Sequence, residues 1–149
     1  MTLVNRFPDH VFSALDLAMR TLRDEVTDEM APQARLAGLR SSQLRLLSLV
    51  PTEGMRVTDL AARVGMTKQA LGEFASELEA RGLLQRAGDP ADRRVRNLIP
   101  TAEGLEVAAL NDQAIRAVES RWRERLGPAC WDAMKEVLFE VHRDESTPD

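Results

Sequence analysis

The feature that most restricts the fold is a pair of short apolar periodicities meeting at a three-residue junction, in the stretch VTDLAARVGMTKQALGEFASELEARG. In its first half Val57, Leu60, Ala61 and Val64 share one helical face; in its second half Leu71, Phe74, Ala75 and Leu78 recur at i, i+3, i+4 and i+7. Thr58 is placed to cap the first helix and Gly65 to end it, while Thr67 is placed to cap the second, which Gly82 ends. Two short helices joined by Gly65, Met66 and Thr67 make a helix-turn-helix arrangement.

Immediately after it, LLQRAG and VRNLI are short strand-like runs around the charged tip DPADRR, Asp89 to Arg94. Such runs around a Gly/Asp/Pro turn predict a hairpin, which Pro100, lacking an N–H, limits at its end. A helix-turn-helix followed by a hairpin is a winged helix.

Around this centre the pattern is helical. Val11, Phe12, Leu15, Met19, Leu22 and Val26 stripe a long amphipathic helix that runs out near Pro32 and Gly38. Ser41 or Ser42 is placed to cap SSQLRLLSLV, which stops at Pro51, and TEGM reads as a turn. Thr101 is placed to cap a long helix reaching about Leu126, with Gly104 a weak spot in its first turn. Gly127 and Pro128 stop it and start a last helix carrying Trp131, Met134, Val137, Leu138 and Val141 on one side. The expected class is therefore mainly α, a winged helix-turn-helix with a small β-hairpin wing over 41–100, flanked by helical segments 1–40 and 101–149.

The 149 residues amount to about one domain, and 44% hydrophobic with 30% charged residues is ordinary for a globular protein. The lone Cys130 allows no internal disulfide, fits a reducing compartment, and reads as a buried or half-buried structural thiol rather than a redox sensor. MTLVNRFPDH lacks the basic start and apolar run of a signal peptide, and no apolar run reaches the roughly 18 residues of a membrane span, so a cytoplasmic protein with no membrane partner is expected. The net charge of −4 is unevenly placed: from Arg56 to Pro100 eight basic residues face six acids, a balance of +2, against −6 elsewhere. A slightly basic middle hints at a polyanion site on an acidic body.

In a winged helix the second helix of the pair fits the major groove of DNA. With Leu71, Phe74 and Leu78 turned inward, Thr67, Lys68, Gln69, Gly72, Glu73 and Ser76 face outward. Gln69 suits adenine in a bidentate contact, Lys68 a guanine or a phosphate, and Glu73 the N4 amine of cytosine. Gly72 disfavours a helix interior by about 1 kcal/mol, and close approach of another surface would explain it. Among Arg93, Arg94 and Arg96 the wing can offer a guanidinium to a narrow minor groove, and Asp92 can hold the wing or that arginine.

The run Leu39 to Gly104 resembles the MarR family of winged-helix transcription regulators. It carries the leucine-alanine pair at Leu60 and Ala61, the Thr67-Lys68-Gln69 start of the second helix, the Leu78 to Leu83 exit, and the wing Asp89 to Arg94. The resemblance implies a homodimer, paired through its N- and C-terminal helices, on a pseudo-palindromic operator in double-stranded DNA. It also implies repression of nearby genes, relieved by a small aromatic or anionic ligand, with no cofactor. Thr67, Lys68 and Gln69 match the DNA-reading start of the second helix, Arg94 the minor-groove arginine and Asp92 its supporting aspartate. Ala70, Glu73, Glu77 and the sequence Ile99-Pro100-Thr101 depart from the family pattern.

The total acidity, with Glu73 and Glu77 on the second helix, motivates an alternative: a winged-helix protein-interaction module or anti-regulator without DNA binding. The wing arginines taken alone read as a solvated hairpin. His10 and His142 lack metal-ligand spacing, and Trp122 and Trp131 read as interface or core packing rather than pocket walls. Without a phosphate loop, a nucleophile elbow or a His/Cys/carboxylate cluster, no enzyme is expected.

Overall fold

A computed structural model describes residues 9–33, 38–88, 91–92 and 94–143, with side chains as far as Val141. These form α1 (Val11–Met30), α2 (Ser41–Leu49), β1 (Met55–Arg56), α3 (Val57–Val64), α4 (Lys68–Ala80), β2 (Leu84–Gly88), β3 (Arg96–Pro100), α5 (Ala102–Leu126) and α6 (Pro128–Arg143). Two compact units result, Met1–Ala114 and Ile115–Asp149.

In the first unit the strands form one antiparallel sheet in the order β1-β3-β2, with Leu98 of β3 between Met55 and Arg86. The hairpin is the expected one, and β3 ends at Pro100, opposite Leu84. The turn expected at TEGM forms at Thr52 and Glu53, with the Gly54 N–H donating to the Pro51 carbonyl at 2.9 Å, and only its last residue, Met55, departs from that reading by joining β1. Two residues carry no periodicity, and Met55 and Arg56 become a strand only because β3 supplies a partner.

That strand also shifts the start of α3. Arg56, not Thr58, takes the cap position, so Thr58 lies inside the first turn. At α2 the expected serine cap is replaced by Arg40, whose backbone N–H donates to Gln43 Oε1 at 2.9 Å. Thr67 caps α4 as expected, accepting from the Ala70 N–H at 3.2 Å. Thr101 accepts from the Gly104 N–H at 3.0 Å, and its hydroxyl donates to the Gly82 carbonyl at 2.6 Å. One hydroxyl thereby ties the end of the α4 segment to the start of α5.

The core gathers Leu44, Leu46, Leu47, Leu60, Leu71, Leu78 and Leu98, all essentially inaccessible, and α5 adds Val107. Gly104, a weak spot by helix propensity, has a packing reason. A Cβ there would lie 2.0 Å from the Leu83 carbonyl oxygen, so only glycine lets α5 approach that backbone.

On α1 the apolar stripe forms as expected but is only partly covered: Val11, Phe12, Leu15 and Met19 are exposed, while Val26 packs against the core and Met30 is buried. His10 precedes this helix as its cap, its Nδ1 accepting from the Ser13 N–H at 3.1 Å. The side chain of His142 lies outside the described residues.

In the second unit Trp122 and Trp131 are buried edge to face, ring centres 6.2 Å apart and planes at 74°. They pack the end of α5 against α6, as the sequence suggested. Arg123 clamps Asp132 with two hydrogen bonds of 3.0 and 2.8 Å. The Asp132 carboxyl is held below the ordinary aspartate range by its hydrogen bond to the Arg123 guanidinium, and the same bond raises Arg123. Cys130 is exposed, which corrects the expectation of a buried thiol: its neighbour Trp131 takes the covered face, and adjacent helix positions diverge by about 100°. Met134, Val137, Leu138, Phe139 and Val141 of α6 are also exposed. No helix among the described residues is long and apolar enough to cross a membrane.

Candidate nucleic-acid interface

The junction between α3 and α4 is set by Gly65, whose φ of 67° is the left-handed conformation that a side chain disfavours. The Gly65 N–H reaches the Ala62 carbonyl and the Met66 N–H the Ala61 carbonyl at 3.0 Å, which closes α3 and turns the chain. α4 then buries Leu71, Ala75 and Leu78 completely. Because those residues fix the inward face, Thr67, Lys68, Gln69, Glu73 and Ser76 stand exposed and Gly72 half-buried on the other side, as the periodicity predicted. Among the described residues, no atom beyond the neighbouring backbone of α4 lies within 4 Å of where a Gly72 Cβ would stand, so none of them explains that glycine.

At the wing, Asp92 acts on the backbone. Its Oδ1 accepts from the Arg94 N–H at 2.9 Å and its carbonyl from the Val95 N–H at 3.0 Å, a tight turn that leaves Arg94 exposed. Arg96 is exposed at the start of β3. Arg93 lies outside the described residues, as do Asp89 and Pro90.

Two ion pairs that hold α4 have no signal in the local sequence. Arg86 of β2 donates through Nε to both carboxylate oxygens of Glu79, at 3.1 and 2.9 Å, linking the wing strand to α4. Arg40 Nη2 lies 2.6 Å from Glu77 Oε2, and the buried Gln43 side chain donates to the same oxygen. Their partners are 7, 37 and 34 residues distant in sequence, and in each case the partner lies outside α4, so no helical spacing rule finds them. Glu77 and Glu79 are thus neutralised locally, and of the α4 carboxylates the exposed Glu73 alone has no ion-pair partner among the described residues. The motivation that Glu77 lent to a DNA-free interaction module is weakened accordingly.

Among the described residues no group of three or more His, Cys, Asp or Glu is arranged to hold a metal ion.

Residues 37–95 match the sequence model of the MarR family. The HTH-type transcriptional repressor MdtR of Bacillus subtilis is 29% identical over 97 residues, an alignment covering 64% of this chain and 63% of that repressor, so the chain spans under two thirds of that relative's length. The transcriptional repressor CouR bound to a 23-mer DNA duplex is 27% identical with a TM-score of 0.73, covering 90% of this chain and 93% of that one. CouR from Rhodococcus jostii RHA1 bound to p-coumaroyl-CoA is 25% identical with a TM-score of 0.73, covering 89% and 92%. The winged-helix sheet and the helix-turn-helix agree with these matches: residues 37–95 carry the likeness to the MarR family, and over 90% of its length the chain is similar to the solved structure of a DNA-bound transcriptional repressor.

Proposed function

We propose that this protein is a homodimeric repressor that reads a pseudo-palindromic operator in double-stranded DNA and leaves it when a small aromatic or anionic ligand binds. The observation that carries the reading is the open face of α4: a row from Thr67 to Ser76 backed by fully buried Leu71, Ala75 and Leu78, beside a wing whose tip holds out Arg94. Thr67, Lys68 and Gln69 would meet base edges and phosphates, Glu73 a cytosine amine, and Gly72 would let the helix backbone come close. Arg94 would enter the adjacent minor groove, with Arg93 and Arg96 on nearby phosphates.

Dimerisation is supported by the apolar side chains the chain leaves uncovered on α1 and on α6, which a second copy would bury. A ligand site is supported by a cavity of about 350 Å³ lined by Arg23 of α1, by Ser41, Ser42 and Arg45 of α2, and by apolar Leu46 and Met66. Guanidinium groups over an apolar floor suit an aromatic acid or its thioester. To act as an inducer it must favour the DNA-free arrangement.

The test is selection of bound duplexes from genomic fragments at about 0.15 M salt, where surface charge is screened as in the cell. An enriched inverted repeat supports the operator reading, and release of that duplex by aromatic carboxylates or their coenzyme A thioesters supports the ligand. An intact dimer that enriches nothing with or without those compounds overturns it.

A further inference from the structure

The helix that faces DNA is held from behind by something more directional than its core. Phe74 and Glu77 of α4 and Arg81, which caps its C-terminal end, lie at i, i+3 and i+7 on one flank, and each meets the segment Gly38–Gln43. Arg40 Nη2 and Gln43 Nε2 converge on Glu77 Oε2. Arg81 Nη2 donates to the Gly38 carbonyl at 2.8 Å, and the Arg40 guanidinium sits 5.1 Å from the centre of the Phe74 ring. The Gln43 amide is itself oriented, because its oxygen accepts the Arg40 backbone N–H, which leaves its NH₂ for Glu77. Among the described residues Gln43 is one of two buried polar or charged side chains, the other being Asn111.

We propose that Glu77 is a positioning residue for DNA reading: the clasp formed by Arg40, Gln43 and Glu77 fixes the roll of α4 about its axis and so sets where Lys68 and Gln69 point. The proposal rests on the reading of α4 as the DNA-facing helix.

The physical need for a clasp follows from the core. Leu71, Ala75 and Leu78 hold α4 by apolar contact, which is non-directional and tolerates a small roll. Hydrogen bonds have narrow distance and angle limits and do not. At the outer radius of a helix, roughly 5–6 Å, a roll of about 10° moves a side-chain atom by about 1 Å. That displacement takes a 2.9 Å hydrogen bond to a base outside its useful range, while leaving long-range attraction to phosphates nearly unchanged. Loss of the clasp therefore lowers discrimination between sequences more than it lowers affinity for DNA in general.

The experiment runs the duplex selection with a randomised library in parallel for the parent, Glu77→Ala and Glu77→Gln. The affinity of each protein is then measured for the parent's selected duplex and for a scrambled duplex, after helicity and thermal midpoint show the variants folded. Glu77→Ala is expected to lose about tenfold in the selected-to-scrambled ratio, on the scale of one misplaced base contact, with the scrambled affinity and its salt slope unchanged. Glu77→Gln, which keeps an oxygen to accept from Arg40 and Gln43, is expected to retain most of the ratio. Arg40→Met provides a second route to the same loss if Glu77→Ala does not fold. An unchanged ratio in Glu77→Ala or Arg40→Met overturns the positioning role. So does tighter binding of both duplexes by Glu77→Ala, which would mean the carboxylate merely repelled phosphate. A parent that enriches no motif is the separate failure of the DNA-reading assignment, and the positioning role falls with it.

Discussion

Arg86 and Glu79 join the wing to the helix beside it: the guanidinium Nε of the β2 residue donates to both carboxylate oxygens of the α4 residue. Glu77, two positions earlier and so roughly 160° around the helix, is held from the other flank by Arg40 and Gln43. α4 is therefore gripped on two sides at its C-terminal half, while its N-terminal half stands open. Because both partners of the wing pair are partly solvated, Arg86→Ala should lower stability by no more than about 1 kcal/mol. It should speed amide hydrogen exchange in β2 relative to α3. A larger loss in urea unfolding, or unchanged exchange, would count against this link between wing and helix.

Gly104→Ala should destabilise the protein despite the better helix propensity of alanine. The added methyl would stand 2.0 Å from the Leu83 carbonyl oxygen, and that oxygen already accepts the Thr101 N–H at 3.1 Å. Backbone must move, and overpacking of this kind typically costs about 1–3 kcal/mol. The urea midpoint of the variant reports it; a midpoint at or above the parent's would contradict the packing argument.

Gly72→Ala should do the reverse. It is a helical glycine with negative φ and open space where a Cβ would stand, so alanine should add up to about 1 kcal/mol of stability. On the proposed interface the same methyl meets DNA, so affinity should fall as stability rises. Thermal melting and duplex titration on one preparation check both signs.

At the proposed contacts, Arg94→Ala should weaken binding to all duplexes and flatten the slope of log affinity against log salt by about 1. Gln69→Ala should instead relax preference at one position per half-site, by about 1–3 kcal/mol. Asp92→Ala removes the acceptor of the Arg94 N–H and should act like a weaker Arg94→Ala, through a looser wing turn. Competition titrations across single-base operator variants separate the two patterns.

Acid should loosen the second unit through Asp132. Its carboxyl is held below the usual range by Arg123, so the folded form binds that proton less readily than the unfolded chain does. The pair's stabilisation is then full above an ordinary aspartate pKa of about 3.9 and is lost as pH falls through the depressed folded value. Both side chains are about half exposed to solvent, so the effect should be small. Asp132→Asn should remove it, visible as a reduced difference in thermal midpoint between neutral and acidic buffer. An unchanged difference in Asp132→Asn would assign the acid sensitivity elsewhere.

How far the fold could be read ahead depended on the range of the interactions. The helix pair, its Gly65 junction, the Thr67 and Thr101 caps and the hairpin all rest on neighbours within a few residues, and each appears where the pattern put it. β1 and the starts of α2 and α3 did not follow local propensity. Met55 and Arg56 answer to Leu98 and Asn97, and the Arg40 N–H is met by Gln43 rather than the helix starting from a serine cap. Cys130 is exposed although free cysteines are usually buried, because that tendency carries no information about helix face and Trp131 beside it takes the covered one.

The sequence by itself determined which face of α4 turns inward, because Leu71, Ala75 and Leu78 recur at helical intervals and apolar burial needs no particular partner. It could not determine why Gly104 is required or what neutralises Glu77 and Glu79. Those answers lie in Leu83, Arg40, Gln43 and Arg86, which become neighbours only through the path of the folded chain. Close packing and charge-assisted hydrogen bonds act over a few ångströms between specific atoms, so tertiary structure decided them.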